Sequence, residues 1–587
     1  MVYAGPSNGC LTCKKRRVKC DETRPVCRNC TRRRVPCPGF PDPPGTKFRD
    51  ETDAVIRHAQ RGERKTRPER DDDYAAAESF GTNLGQDESF VSLCFFFHNY
   101  VITGRGIQSS RGVFENLLPY YNPNKADSLV SLAVAAVAAS MLSIWRLQGP
   151  DSAASRQYVG RAITLLRDTL TDPDGCVSDE TLIAILLLQY REGIIAHSKM
   201  VQVDGSHQNG AYAVVKHRQS KGFRNDASKR LLQAVRSTMV SEAIRHRQPV
   251  NMEPAVWDDE EPMPHNPSSD LDRIGVDVAN LQALFERYKK AVQTESVLEA
   301  IDVRTLAAFK RTANDVDERL EIWATAQSRQ WSPIPLLPHE IPESIKRAGV
   351  YRNLCDVYPT VQIASVWHTY KSYRLILLKI ILSCEQTELS LQPVKQGRDS
   401  DHSNTRAPST AETFQELVDE MCAAVPFHLG SRTEPGFIGE FSRTDNVDFP
   451  WPPPEKDPFS NSYKSGNLGG DGNLSPMTSD ERKRHAIGMG GWHILGPLSF
   501  VLGMASESLE LGPLRENARK VGCLLRQDQI PWLAGQLRRA LMLHRMKREG
   551  PENPGNMERG KYPPEKDASL ARDVTGVKKA LRYAIGV

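Results

Sequence analysis

The 587 residues contain no H-E-x-x-H metallopeptidase string, no G-x-x-x-x-G-K-S/T phosphate loop and no G-x-G-x-x-G dinucleotide turn. A G-x-S-x-G string does occur, at Gly5-Pro6-Ser7-Asn8-Gly9. It has no strand pattern before it and a cysteine pair directly after it, so the strand–turn–helix context of a nucleophile elbow is missing. The acid run Asp258-Asp259-Glu260-Glu261 lies in a proline-bounded polar segment and reads as a solvated run. No catalytic constellation emerges, and the chain is not expected to be an enzyme. Met1–Gly9 lacks the apolar core of a secretory signal. Between Cys10 and Cys37 there is no aromatic residue. That weakens base stacking, the common mode for single strands and RNA loops. From residue 88 onward alternating apolar/polar runs and hairpin signals are scarce, which excludes a β-rich chain and points to an all-α fold. Residues 46–74 carry charge and, apart from Val55 and Ile56, almost no large apolar side chains. No coiled-coil heptad survives there.

What is present is concentrated at the start. Six of the twelve cysteines sit at Cys10, Cys13, Cys20, Cys27, Cys30 and Cys37. The unit C-x2-C-x6-C occurs twice with an offset of 17 residues, and Arg16-Arg17-Val18 falls on Arg33-Arg34-Val35. A C-x2-C pair brings two thiolates to one metal, and zinc favours four such ligands in a tetrahedron. Two zincs need eight bonds from six sulfurs, so two sulfurs bridge. Cys10 and Cys27, the first of each unit, are the natural bridges. One zinc then takes Cys10, Cys13, Cys20 and Cys27, and the other Cys27, Cys30, Cys37 and Cys10. With every position sulfur, both ions are structural. Three disulfides are the competing use of six cysteines and require an oxidising compartment. The other six cysteines are scattered singly and read as reduced core thiols.

Charge follows the cysteines. Residues 1–37 hold ten Lys/Arg against two acids, net +8, while the whole chain carries +5. Residues 38–587 therefore carry −3. Two zincs and six thiolates lower the module to about +6. A compact basic knob suits a nucleic-acid backbone, and with no aromatics to stack on, double-stranded DNA is the expected partner.

The spacing, the run C-K-K-R-R-V-K-C and Pro25 two residues before Cys27 resemble the fungal binuclear zinc-cluster transcription factors over residues 10–37. The resemblance implies that each C-x2-C unit opens a short helix. It further implies that the end of the first helix enters the major groove over a CGG-type triplet. On that basis Arg16 and Arg17 are the base-reading positions, since arginine can bind guanine O6 and N7 bidentately. Lys14, Lys15, Lys19 and Arg33 fall to the phosphates. The basic run also fits a nuclear import signal, so a nuclear location is expected.

The remainder divides into a linker at 41–87, opened by Pro38-Gly39-Phe40-Pro41, and an apolar helical region at 88–587. The module itself spans 1–40. Residues 88–250 resemble the large fungal-specific transcription-factor domain, with fainter echoes at Val425-Pro426-Phe427-His428-Leu429-Gly430 and Gly490-Gly491-Trp492-His493. His207 and Gly210 belong to one of its diffuse motifs. Leu129–Trp145, 17 residues without charge, reads as a buried helix rather than a membrane span. Ser178 reads as an N-cap. Ser155–Leu170 continues the helical reading with apolar positions Tyr158, Ile163, Leu166 and Leu170, and Leu281, Leu284, Phe285, Tyr288 and Val292 make one helical face. Phe309, Ala313, Val316, Leu320 and Trp323 form a two-heptad seam, read as a core helix with a dimer interface as the alternative. Trp331–Pro342, 392–411 and 448–480 read as loops or disorder. The expectation is a zinc-containing nuclear regulator of RNA polymerase II transcription. Its partners would be duplex DNA, coregulators and a second copy of the chain through the helical domain. The alternative is a zinc-stabilised interaction scaffold that does not bind DNA.

Overall fold

The protein is described from a computed structural model. The described residues are 9–39 and 88–544, less 102–112, 115, 147–148, 200–205, 219–221, 258–265, 296–301, 392–408, 460–476, 510, 512–520 and 522–523. The chain divides into two units, residues 1–85 and 86–587. The linker expected at 41–87, the elbow-like residues 5–8 and the acid run 258–261 lie outside the described residues.

The first unit has two five-residue helices, Leu11–Lys15 and Arg28–Arg32, around a core made of cysteine. The second unit is all-α among the described residues, except for two short strands, Ile334–Pro335 and Asp356–Val357, paired antiparallel. Leu129–Trp145 is helical throughout, and all 17 residues are buried. Its alanines give high helix propensity, and Ser128 caps it by accepting from the Ser131 amide at 3.2 Å. Helices Glu88–Asn99, Ala153–Thr171 and Asp179–Lys199 pack around it. Each Leu, Val or Ile so enclosed contributes about 1.5–3 kcal/mol. Its interior polar groups are satisfied. Ser140 lies 2.7 Å from the Ser155 hydroxyl, which donates to the Ala136 carbonyl and accepts from Arg191 Nε.

The 31-residue helix Val361–Leu391 is the second organising element. Helices Pro267–Glu295, Val303–Thr325, Thr410–Ala423 and Gly491–Ala505 pack against it. Phe309, Ala313, Val316, Leu320 and Trp323 are all buried on Val303–Thr325 and face its own neighbours. The seam is therefore used inside the chain. Trp323 Nε1 donates to the Pro267 carbonyl at 2.9 Å, and Arg374 grips Asp317 with two bonds of 2.8 Å.

Ser178 caps Asp179–Lys199 by accepting from the Thr181 amide at 3.1 Å, and Ser206–His217 carries His207 at its first turn. Three of the apolar helix positions read from the sequence face solvent: Ile163 is 42% exposed, Leu170 44% and Leu284 48%. Ile163 and Leu170 lie seven residues apart on a stripe that the buried Ser155–Ala162–Leu166 face leaves outside. Of the expected loops, 392–408 and 460–476 lie outside the described residues. The helices after them start slightly earlier than expected, at Thr410 and Ser479. Each is fixed by a capping box, Ser409/Glu412 and Thr478/Glu481.

The stretch Ser479–Ala505 is long and apolar enough to cross a membrane by length and composition, yet 61% of its apolar window is buried inside the fold. It contains a π-helical turn at Ala486–Gly490. A Cβ on Gly490 would lie 2.1 Å from the His428 carbonyl oxygen. The two faint echoes, Val425–Gly430 and Gly490–His493, are thus one packing contact that only glycine permits.

Candidate metal centre and nucleic-acid interface

Cys10, Cys13, Cys27 and Cys30 are buried, and Cys20 and Cys37 are half-buried at their edges. Their sulfurs form two groups, each within 4.8 Å: Cys10, Cys13, Cys20 and Cys27, and Cys10, Cys27, Cys30 and Cys37. Cys10 and Cys27 belong to both. A tetrahedron with metal–sulfur bonds of about 2.3 Å has sulfur–sulfur edges of about 3.8 Å. The sulfur separations are 3.6 Å for Cys10–Cys27, 3.7 Å for Cys13–Cys27 and 3.8 Å for Cys10–Cys30. The donor set and its spacing therefore fit thiolate-bound zinc, and no pair is at disulfide distance.

The repeat is structural as well as textual. In each half the first cysteine accepts from the amide three residues on, Cys13 N to Cys10 Sγ and Cys30 N to Cys27 Sγ, both 3.4 Å. In each half the helix ends at an arginine in the left-handed region, Arg17 at φ 54° and Arg34 at φ 52°. In each half the following valine amide reaches back five residues, Val18 to Cys13 and Val35 to Cys30, both 3.1 Å. This is the six-to-one bond of a Schellman ending. These amides also shape the thiols. Burial pushes Cys13, Cys27 and Cys30 up to about 12. Backbone N–H groups of Cys27 and Gly39 hold Cys37 down to about 7. At Cys20 burial works upward, but the N–H groups of Cys10 and Glu22 outweigh it and lower the pKa.

Three residues not singled out in the sequence tie the halves together. Asp21 accepts from the Arg28 and Asn29 amides at 3.1 and 3.4 Å, capping the second helix. The Thr23 hydroxyl at 2.8 Å, chiefly, and these amides hold its carboxyl below the usual range. Asn29 Nδ2 donates to the Lys19 carbonyl, and the Thr12 hydroxyl to the Pro36 carbonyl, each at 2.8 Å. Asp21 lies seven residues before the helix it caps, so no contiguous capping pattern marks it. The Arg24–Pro25 peptide is cis.

Lys15, Arg16, Arg17, Lys19 and Arg33 are exposed and form no ion pair among the described residues. Lys14 lies on the first helix, and its side chain is outside what the structure describes. The cysteine core thus carries a basic surface along the end of the first helix that no acid among the described residues pairs.

Comparison with known proteins agrees with this geometry. Residues 8–47 match the fungal Zn(2)-Cys(6) binuclear cluster domain, and residues 92–246 match the fungal specific transcription factor domain. The chain is 73% identical over 30 residues to sterol uptake control protein 2 of Candida albicans, covering 5% of this chain and 4% of that protein. It is 59% identical over 34 residues to the transcriptional regulatory protein moc3 of Schizosaccharomyces pombe, covering 6% and 7%. It is 66% identical over 37 residues to the fungal-type transcription factor afumD of Aspergillus fumigatus, covering 6% and 10%. These matches span a tenth or less of the relatives' own lengths. No solved structure matches. The chain therefore carries a Zn(2)-Cys(6) binuclear cluster domain at residues 8–47, whose six cysteines fit two structural zinc ions, and a helical stretch at 92–246 that matches the fungal specific transcription factor domain.

Proposed function

We propose that this protein is a nuclear, sequence-specific regulator of RNA polymerase II transcription that reads a CGG-like triplet in the major groove of duplex DNA. The observation that carries this reading is the pair Arg16–Arg17 at the end of the first cluster helix, exposed and without an ion pair among the described residues. A guanidinium with no ion pair among the described residues is available for bidentate bonds to guanine O6 and N7. Lys14, Lys15, Lys19 and Arg33 hold the flanking phosphates and set register. Cys10 and Cys27 bridge the two zincs, with Cys13 and Cys20 completing one tetrahedron and Cys30 and Cys37 the other. The match to a zinc-cluster domain and a transcription factor domain, and to relatives named as transcriptional regulators, supports this reading over an enzyme or a scaffold.

The helical unit supplies regulation, coregulator contacts and any self-association. The seam Phe309–Trp323 is engaged within the chain, so a dimer would use another face. Fluorescence anisotropy of the zinc-loaded full chain tests the reading. Binding to a CGG duplex should exceed binding to a scrambled duplex, and should weaken steeply with salt. Equal binding to both duplexes sinks the specific reading, and no binding to either favours the scaffold.

A further inference from the structure

Between helices Asp226–His246, Pro267–Glu295, Val361–Leu391 and Gly491–Ala505 lies a cavity of about 400 Å³, open to solvent. This volume falls in the range of small-molecule sites. Phe285, Ile376, Ile380 and Phe500 give it apolar walls. One wall is a helix face of small residues, Gly496, Ser499 and Gly503. An added Cβ at Gly496 or Gly503 would meet nothing within 4 Å. Close packing therefore does not explain either glycine, although each weakens the helix by about 0.5–1 kcal/mol relative to alanine. Their effect is to keep the space empty.

The cavity is positively biased. Arg245, Arg247, Lys289 and Lys379 line it against Glu286 and Glu507. Arg247, in the left-handed region, holds Glu286 at 3.0 Å and also bonds Glu507, which pairs with Lys379 as well. Arg245 is taken by Glu242 at 2.6 Å. Lys289, half-buried, has no ion pair among the described residues. Burial lowers the Lys379 pKa even beside Glu507, so positive charge is costly here. Gln282 Oε1 is buried at the same wall with no hydrogen-bond partner. A second cavity of about 460 Å³ shares Arg245 but is otherwise lined mainly by hydroxyl, amide and apolar groups.

We infer that the 400 Å³ cavity is a binding site for a small organic anion, a carboxylate on an apolar body, with Lys289 receiving the head group and the Gly496–Gly503 face receiving the tail. Apolar walls alone would admit any hydrocarbon. The surplus cation selects a molecule with an anionic polar head, and the Gln282 oxygen, an acceptor, leaves that head to Lys289 alone. An alcohol of the same length forgoes the charge-assisted bond, and an ammonium meets the surplus cation with every lining carboxylate already paired.

Isothermal titration calorimetry on the zinc-loaded full chain, with decanoate, decanol and decylammonium below their aggregation limits, decides the matter. Decanoate is expected to bind saturably at one site, about tenfold more tightly than decanol, the worth of one charge-assisted bond. Decylammonium should not bind. Gly503→Leu fills open space and should abolish decanoate binding with an undiminished melting transition. Lys289→Gln, at a half-buried position, should weaken decanoate about tenfold and leave decanol unchanged. If Gly503→Leu fails to fold, Gly496→Leu takes its place. Decanol binding as tightly as decanoate, decanoate bound equally by the folded leucine variants, or no saturable binding by decanoate overturns the inference.

Discussion

Arg17 and Arg34 meet the same backbone demand in the two halves of the cluster. Both occupy left-handed backbone, at φ 54° and 52°, where glycine is the relaxed choice. Arg17→Gly should therefore keep the module folded, with stability unchanged or raised by about 1 kcal/mol. If Arg17 reads a base, the same change should relax discrimination at that base pair by about 1–3 kcal/mol. Competition anisotropy with single-base variants of the duplex separates the two effects. Uniform weakening over all duplexes would make Arg17 a phosphate contact. The sulfurs give a second prediction. Cys10 and Cys27 fall in both four-sulfur groups, and Cys37 in one. Cys27→Ala should leave no zinc in metal analysis of the purified chain, and folding of the module should fail with it. Two zincs per chain in that variant would contradict the bridged cluster.

Among the elements, Val303–Thr325 carries the sharpest expectation. Trp323 is buried against Trp331, Trp367 and Tyr370, and its indole N–H is used by the Pro267 carbonyl. Trp323→Ala should cost about 3–5 kcal/mol in denaturant unfolding and leave the oligomeric state unchanged. A change of oligomer without loss of stability would place the seam at a dimer interface. This helix was legible because its apolar residues keep a strict 4-3-4-3 spacing, as was Leu129–Trp145 because it holds no charge. Ala153–Thr171 was less so. Its buried stripe is Ser155, Ala162 and Leu166, and a buried serine is recognisable only once Ser140, Ala136 and Arg191 are seen around it. The cysteine pattern made the metal centre readable, since spacing and valence alone lead to two bridges. The glycine at 490 was visible only as a faint motif, because its reason is a carbonyl 62 residues away in sequence. Gly490→Ala should destabilise the helical unit by about 1–3 kcal/mol or more, read as a lower denaturant midpoint.

At the scale of the whole molecule, the helical unit encloses histidines that folding keeps neutral. His368, His428, His485 and His544 are buried, and burial chiefly lowers all four, His428 and His485 to about 3. In the unfolded chain a histidine titrates near 6.5. Below that pH the unfolded chain takes up protons that the folded one refuses. The stability is complete above pH ~6.5 and is lost as pH falls toward 3, by up to about 1.4 kcal/mol per pH unit for each histidine. Thermal melts of the full chain should fall steeply between pH 6.5 and 4.5; a flat profile there would mean these rings accept protons in the folded state. The basic cluster carries +8 in 37 residues, while residues 38–587, linker and helical unit together, carry −3. The central claim is that the first carries sequence information. Selection of bound sites from random duplex DNA by the zinc-loaded full chain tests it most directly. Enrichment of a CGG-like triplet, lost on Arg16→Ala, is the predicted result. Recovery of unselected sequence by both proteins would contradict the account.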